Sequence, residues 1–295
     1  MNSAHPAFAH LLLFLACLAW GGSYAVGRYG LSEGSALWLT LWRWGPGALF
    51  FSVYLAYFWP KIGQIVRAHA VSISLISVLG IVIYPATLFL AVANTTALNA
   101  SLYLAATPVL ILLLSRLFWK EPLTPGRLAS VVFGLAGALI LVFRGDWHAF
   151  ASFRVATSDL WAIVSAISWA GYCVALPLKP RALAEVPFLA IIIVIGSIML
   201  LVLALASGEA MPLPHTTSTS WSMVYFAVFP SVLAFLAWNW GTSAVGPAIA
   251  APYNNLVPVC GGALGILFLG ETIEGYHLLG GSLIIGGLVM NGLRS

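Results

Sequence analysis

The stretch 94–144 of this chain occurs again at 244–294, with every matched pair separated by 150 residues. Pro108 and Glu121 in the first copy correspond to Pro258 and Glu271 in the second. Further matched pairs are Ala100 with Ala250, Tyr103 with Tyr253, Leu117 with Leu267, Leu128 with Leu278, Gly137 with Gly287 and Arg144 with Arg294. Apolar letters match by chance in an apolar chain, but proline, glutamate, tyrosine and arginine do not match repeatedly at one offset. The chain therefore contains a duplicated unit, which limits the folds that it can adopt.

The composition indicates that this unit spans a lipid membrane. Of the 295 residues, 61% are hydrophobic and only 7% are charged, whereas soluble proteins carry about 25% charged residues. Ten apolar runs come close to the roughly 20 residues that a membrane-spanning helix needs. We predict spans at Phe8–Tyr29, Ser35–Phe58, His69–Ala93, Thr95–Phe118, Gly126–Phe143, Ser158–Leu178, Phe188–Ala206, Ser220–Trp240, Val245–Leu269 and Tyr276–Leu293.

The repeat covers five spans and not only two. Trp20 matches Trp169 at an offset of 149, and Pro85 matches Pro230 at an offset of 145. Because five is odd, the second unit must enter the membrane in the opposite orientation to the first. We therefore predict an all-α membrane protein with ten transmembrane helices, arranged as two inverted five-helix repeats at 1–145 and 146–295. Inverted repeats are typical of secondary transporters, whose substrate site lies between the halves near the midplane.

The distribution of lysine and arginine predicts the orientation. With the N-terminus inside, the inner connections hold eight cations and the outer ones three, which places both termini in the cytoplasm of a bacterial inner-membrane protein. The inner cations are Lys61, Arg67, Arg116, Lys120, Arg127, Lys179, Arg181 and Arg294, and the outer ones are Arg28, Arg144 and Arg154. The opposite orientation remains an alternative. It would place Arg116, Lys120 and Arg127 outside.

Several of these residues carry a family resemblance. They are the Leu18-Ala19-Trp20-Gly21 segment with Ser23, Arg43, the block from Pro108-Val109 to Glu121, the block from Pro258-Val259 to Gly270-Glu271, and the glycine pairs Gly280-Gly281 and Gly286-Gly287. The chain resembles the drug/metabolite transporter superfamily, in its EamA-type branch of ten-span proteins. The resemblance implies a secondary transporter that works by alternating access. Within the branch, the chain is most similar to exporters of aromatic and neutral amino acids.

Polar, aromatic and proline residues inside the spans are the candidates for the substrate site, because polar groups are costly in a bilayer. An asparagine amide offers a carbonyl to an ammonium group and an NH2 group to a carboxylate. Prolines free backbone carbonyls, which can bind a substrate or bend a gate. The substrate-binding candidates are Trp20, Tyr24, Arg43, Tyr84, Asn94, Asn99, Tyr103, Trp169, Tyr172, Trp238, Asn239, Tyr253 and Asn254, and the hinge candidates are Pro85, Pro108, Pro230 and Pro258.

Each of these sets also has a structural interpretation. The amides can bond neighbouring helices, the prolines can simply kink their helices, and the tryptophans Trp20 and Trp169 can pack in the helix interface. Arg43 can hold a substrate carboxylate or can bond backbone carbonyls, and the second role is favoured. Other tryptophans near the predicted ends of spans, among them Trp44, are expected in the interfacial belts.

Residue types and motifs that are missing from the predicted spans limit the functions that the protein can have. Asp159 stands at the edge of a span and no acid lies clearly within one, so we expect weak or no obligatory proton coupling. With Arg43 as the one cation inside a span, a sugar-phosphate carrier is disfavoured. The sequence lacks paired membrane aspartates, a His-Glu-x-x-His motif and a Gly-x-Ser-x-Gly motif, which argues against an enzyme.

The sequence therefore predicts an exporter of neutral or aromatic amino acids, without a cofactor or a metal. Its expected partners are a small-molecule substrate and the lipid bilayer, without nucleic acid, in a monomer or a homodimer. A multidrug or organic-cation exporter is the alternative within the superfamily. A polytopic membrane enzyme is the alternative from another class.

Overall fold

The computed structural model describes residues 6–27, 35–94, 103–151, 157–211, 217–270 and 272–292, and every regular element within these ranges is a helix. The first half contains α1 (Pro6–Gly27), α2 (Ala36–Ala68), α3 (Ala70–Asn94), α4 (Tyr103–Trp119) and α5 (Pro125–Val142). The second half contains α6 (Leu160–Leu178), α7 (Glu185–Ser207), α8 (217–245), α9 (247–269) and α10 (Gly275–Gly292), with a short helix at Trp147–Ala151 before α6. The ten helices fall where the ten spans were predicted, so the predicted all-α fold is confirmed.

Within the described ranges, five helices are long and apolar enough to cross a membrane, and three shorter helices are apolar. The long ones are Ala70–Asn94, Pro125–Val142, Leu160–Leu178, Glu185–Ser207 and Ser220–Val245, and the shorter ones are Ala7–Ser23, Tyr103–Trp119 and Gly275–Met290. Helix α2 is long but less apolar, because it carries Arg43, Lys61 and Arg67. It continues to Ala68 with Pro60 inside it, beyond the end predicted at Phe58.

Consecutive helices alternate in direction, so the molecule has two ends. We call the end where α1 begins the proximal end and the opposite one the distal end. At the proximal end, the Trp119 Nε1 of α4 donates to the carbonyl of Val174 in α6 at 2.8 Å. At the distal end, the Trp38 Nε1 of α2 donates to the carbonyl of Glu209 after α7, also at 2.8 Å. The predicted orientation places the proximal end in the cytoplasm.

Two spans of the repeat end in the same way. Helix α4 ends at Lys120 with φ +55°, and α9 ends at Gly270 with φ +68°. These positions are equivalent in the repeat, and both are left-handed. Glycine adopts this conformation freely, whereas a residue with a Cβ is strained by about 1 kcal/mol. The first half therefore has the same left-handed turn as the second half, although Lys120 is strained by it.

Helices α5 and α10 pack closely because glycines face each other. A Cβ atom on Gly137 would lie 2.5 Å from the Gly280 carbonyl oxygen, and one on Gly280 would lie 2.8 Å from the Gly137 carbonyl oxygen. Small residues at such a crossing let two backbones approach, as is common between membrane helices. This pair holds the end of the first half against the end of the second.

The main core is formed by α1, α2, α3, α6, α7 and α8, and large apolar side chains cover the outer faces. Leu49, Phe50 and Val53 on α2 are more than two-thirds exposed, as expected for a surface in lipid. Trp44 was expected in an interfacial belt, but it is fully buried, with its ring 4.9 Å from that of Phe235. The prediction for Trp44 was wrong, because its helical face turns inward between α2 and α8.

Candidate functional site

An aromatic cluster occupies the centre of the molecule, where the two halves meet. We define it as Trp20 of α1, Tyr84 of α3, Trp169 and Tyr172 of α6, and Phe235 and Trp238 of α8. Trp169 lies at its middle, with ring centroids 4.8 Å from Tyr84, 5.2 Å from Trp20 and 5.3 Å from Tyr172. Only 4% of Trp169 is exposed. The structure thus brings five of the predicted site residues together.

Helices α3 and α8 are irregular beside this cluster. Each contains a π-helical segment, Val78–Ile83 in α3 and Ala227–Leu233 in α8. Pro85 follows the first segment and Pro230 lies inside the second. A proline lacks the N–H that a helical carbonyl would accept from, and π-helical turns are rare and frequently functional. Both helices therefore carry carbonyls that need partners from outside the helix.

In α8 these partners come from the first half. The Pro230 carbonyl accepts from Trp20 Nε1 at 2.8 Å and from Arg43 Nη2 at 3.3 Å. Ser231 Oγ donates to the Phe226 carbonyl at 2.7 Å, because Pro230 has no N–H with which to bind that carbonyl. Ser231 Oγ also accepts from Arg43 Nε at 3.0 Å. Arg43 is therefore buried against neutral oxygens of α8.

In α3 the partners come from the second half. Ser168 Oγ of α6 donates to the Leu79 carbonyl at 2.8 Å, and Ser165 Oγ donates to the Tyr84 carbonyl at 3.0 Å. The two serines lie one helical turn apart, on the face of α6 that packs on α3. Each irregular helix thus has carbonyls bound by side chains of the opposite half.

Two asparagines of the second half complete the cluster. Asn239 is fully buried, and its Oδ1 accepts from the Tyr172 hydroxyl at 2.5 Å. Its Nδ2 has no hydrogen-bond partner among the described residues. Asn254 Oδ1 accepts from Trp169 Nε1 at 2.8 Å. An unsatisfied buried amide is costly, so Asn239 Nδ2 offers a donor to a ligand.

The other predicted residues lie elsewhere. Asn94 matches Asn239 at the offset of 145 that relates Pro85 to Pro230, but it is exposed, and its Nδ2 donates to the Leu90 carbonyl at 2.8 Å. Tyr103 lies towards the distal end and Tyr253 towards the proximal end, outside the cluster. The side chain of Tyr24 and the whole of Asn99 lie outside the described residues.

The four hinge candidates divide into two types. Pro85 and Pro230 adjoin or interrupt the π-helical segments, as a bend requires. Pro108 is in the first turn of the regular part of α4, and Pro258 is close behind the start of Leu256–Leu269 in α9. Proline is well tolerated in a first helical turn, so these two mark the point where regular helix begins.

The sequence did not identify Ser165, Ser168, Ser231 and Phe235 as part of the site. The serines carried a usable signal, since they are polar residues within apolar spans. Phe235 carried none, because a phenylalanine in a membrane helix most often faces lipid or a neighbouring helix.

Two cavities lie next to α2, on the side that faces α8. A crevice of about 290 Å³ runs between α2 and α8, and a pocket of about 10 Å³, the size of one water molecule, adjoins Arg43. Trp42 and Met223 line both. Ligand pockets usually reach about 300–1,000 Å³. Neither cavity is lined by a residue of the aromatic cluster, and no group of three or more potential metal ligands lies within the described residues.

Comparison with known proteins agrees with this architecture. A protein of Archaeoglobus fulgidus called an uncharacterized transporter is 27% identical over 95% of this chain and 96% of its own length. The uncharacterized transporter YyaM of Bacillus subtilis is 24% identical over 95% of this chain and 93% of its own. A probable terminal-alkyne amino-acid exporter of Streptantibioticus cattleyicolor is 28% identical over 67% of this chain and 64% of its own.

A solved crystal structure has the same fold, with a TM-score of 0.76 and 21% sequence identity over 97% of this chain and 99% of that one. The EamA-like transporter family matches the sequence twice, at residues 7–143 and again at 156–293. Each match covers one set of five spans, in agreement with the helices and with the repeat. The chain therefore belongs to the EamA-like transporter family.

Proposed function

We propose that this transporter exports small neutral zwitterions with apolar side chains, above all neutral and aromatic amino acids, across a bacterial inner membrane. The observation that carries the proposal is the aromatic cluster together with the buried amide of Asn239. This environment combines apolar surface with one unsatisfied donor and one nearby cation, Arg43. The acid that acts electrostatically on the Tyr172 hydroxyl is Glu185, and its carboxylate is paired with Lys179.

The recognition chemistry follows from these groups. A substrate carboxylate accepts from Asn239 Nδ2, which regains a hydrogen bond worth about 1–3 kcal/mol in a buried setting. The substrate ammonium needs oxygens, and the Asn254 Oδ1 and the carbonyls of the irregular helices supply them. An apolar side chain then packs against the rings of the cluster. The exporter from Streptantibioticus cattleyicolor supports this class of substrate, because its name refers to an amino acid with an apolar side chain.

The two halves hold different versions of one contact, which supports alternating access. Trp20 Nε1 binds the Pro230 carbonyl, whereas its repeat counterpart Trp169 binds Asn254 and not the equivalent carbonyl of Pro85. In an inverted-repeat transporter one half moves against the other around the substrate site during the cycle. We infer that Trp169 leaves Asn254 for the carbonyls of α3 when the closed cluster opens. The substrate then takes the volume that the Trp169 ring now fills.

The test is flux into sealed vesicles that contain the purified protein. The panel comprises labelled phenylalanine, threonine, an organic cation such as tetraphenylphosphonium, and a sugar phosphate. We expect flux of the amino acids without chemical change, and exchange of labelled for unlabelled phenylalanine. Flux of the cation alone would refute the proposal and favour a multidrug exporter.

Asn239 and Asn94 form a matched pair of variants for this assay. Replacement of Asn239→Ala removes the central amide and should lower amino-acid flux roughly ten-fold or more, because a hydrogen bond to a charged group contributes about 1.5–3 kcal/mol. Replacement of Asn94→Ala removes the equivalent amide of the other half at an exposed position and should leave flux within about two-fold. Equal losses in the two variants would contradict the assignment of Asn239 to the substrate.

A further inference from the structure

Two tyrosines at equivalent positions of the repeat bind titratable residues at equivalent positions. The Tyr103 hydroxyl of α4 donates to Asp159 Oδ2 next to the start of α6, at 3.3 Å. The Tyr253 hydroxyl of α9 lies 2.8 Å from His10 Nδ1 near the start of α1. The tyrosines are 150 residues apart, and His10 and Asp159 are 149 apart, the offset that also relates Trp20 to Trp169. One contact is therefore built twice, with an acid at the distal end and a base at the proximal end.

Asp159 lies immediately before α6, at the edge of the span, as the sequence predicted. It is fully buried, and so are Ala91 of α3 and Ala162 of α6, against which Tyr103 packs. A buried carboxylate is costly unless hydrogen bonds stabilise its charge. Three described helices surround Asp159. Their titratable side chains are Tyr84 on α3, Tyr103 on α4, and Tyr172 and Cys173, which lie several turns away on α6. Arg154 lies outside the described residues.

His10 has a comparable position at the proximal end. It is partly buried, and its ring stacks on Tyr253 with centroids 5.8 Å apart and an interplanar angle of 22°. Helices α8 and α9 pack against α1 here. The described titratable side chains on these elements and near the start of α9 are Tyr225, Tyr253, Cys260 and Glu121, and α1 itself adds Cys17.

We propose that Asp159 is a proton-binding site that controls the opening of the distal end of the transporter. When Asp159 takes up a proton, the charge that the Tyr103 hydroxyl stabilises is lost and the contact between α4 and α6 weakens. The matched contact of Tyr253 with His10 at the proximal end contains no carboxylate, so it does not depend on this charge. Acidification therefore opens the distal end and leaves the proximal end closed.

This proposal differs from the sequence-based expectation of weak proton coupling, which rested on the absence of an acid within the spans. It concerns the opening of the distal end and does not depend on which substrate is carried. A test without substrate is therefore available. It uses cysteine reporters in a variant whose three native cysteines, all buried, are replaced by alanine.

The reporters occupy matched positions. Ala162→Cys lies one turn after Asp159 and Leu13→Cys one turn after His10, and both positions are fully buried. The rate of labelling by a maleimide is measured between pH 5.5 and pH 8, on the purified protein. Each rate is divided by that of Met211→Cys, an exposed position, which corrects for the intrinsic pH dependence of thiol reactivity.

We expect the corrected labelling of Ala162→Cys to rise about three- to ten-fold as the pH falls, because a hydrogen bond to a charged group is roughly twice as strong as a neutral one. Labelling of Leu13→Cys should not rise. Asp159→Asn should show the fast rate at every pH, and Asp159→Glu should keep the pH dependence. Asp146→Asn is the control, because it removes an exposed acid at the same end.

Two results would overturn the proposal. One is labelling of Ala162→Cys that does not change with pH, and the other is an Asp159→Asn variant with the pH response of its parent. If Asp159→Asn does not fold, Tyr103→Phe decides the matter, since it keeps the carboxylate and removes its hydroxyl donor. Fast labelling of Ala162→Cys at pH 8 in that variant supports the proposal, and parent-like labelling refutes it.

Discussion

Two glycines at the contact between α3 and α6 allow a sharp test of how the aromatic cluster is held. A Cβ atom on Gly80, within the π-helical segment of α3, would lie 2.2 Å from Cδ2 of Tyr172. A Cβ atom on Gly171 of α6 would lie 3.4 Å from the side chain of Leu79, which is an ordinary contact. The variants Gly80→Ala and Gly171→Ala thus add the same methyl group to the same interface with different consequences.

The magnitude follows from the distances. In Gly80→Ala the ring of Tyr172 must move by roughly 1 Å, and overpacking of this kind costs about 1–3 kcal/mol. The shift also breaks the hydrogen bond from Tyr172 to Asn239, which adds about 1 kcal/mol. The sum of about 2–4 kcal/mol corresponds to a fall in Tm of roughly 5–10 °C. Gly171→Ala should leave Tm unchanged or raise it slightly, because alanine favours helix over glycine by about 1 kcal/mol.

The assay is thermal unfolding of the purified protein in detergent, followed by loss of the monodisperse peak in size-exclusion chromatography. A third variant, Gly80→Ala with Tyr172→Leu, removes the ring that clashes, so its Tm should fall by less than the sum of the two single changes. Equal Tm values for Gly80→Ala and Gly171→Ala would refute the reasoning. So would strict additivity in the double variant.

Three further predictions test the packing, the turns and the orientation. Gly137→Ala should lower the stability by about 1–3 kcal/mol, because its methyl group meets a carbonyl oxygen of α10. Gly286→Ala should not lower it, because the space around Gly286 is open, and the Tm of each variant measures the difference. Lys120→Gly should raise the stability by about 1 kcal/mol, since it relieves a left-handed residue with a Cβ, and an unchanged or lower Tm in the same measurement would count against it. An impermeant maleimide applied outside whole cells should label Met211→Cys and not Lys61→Cys, and the reverse pattern would overturn the predicted orientation.

The sequence predicted the architecture well because periodic apolar runs and a constant offset are local properties. It also predicted that Trp20 and Trp169 are equivalent, and both lie in the cluster. It could not predict that Asn239 is buried while its counterpart Asn94 is exposed. Equivalent positions in a sequence have equivalent surroundings only if both halves adopt one conformation. In this structure they do not.

The partners of the irregular carbonyls were also beyond the sequence. A proline shows that one N–H is absent, but it does not show which helix supplies a replacement. Ser165 and Ser168 in α6 donate hydrogen bonds to carbonyls of α3, and Arg43 in α2 donates to a carbonyl of α8. Each of these contacts joins residues more than 80 positions apart. The burial of Asp159 was not predicted either, since the burial of a residue at a helix start depends on its neighbours.

The exchange of side chains between the irregular helices has a consequence for how such a protein could have arisen. A five-helix half inserted alone would leave the Pro230 carbonyl, or those of Leu79 and Tyr84, without partners in lipid, where each unsatisfied group costs several kcal/mol. A single-copy ancestor would therefore have needed a second copy in the opposite orientation before the gene was duplicated and fused.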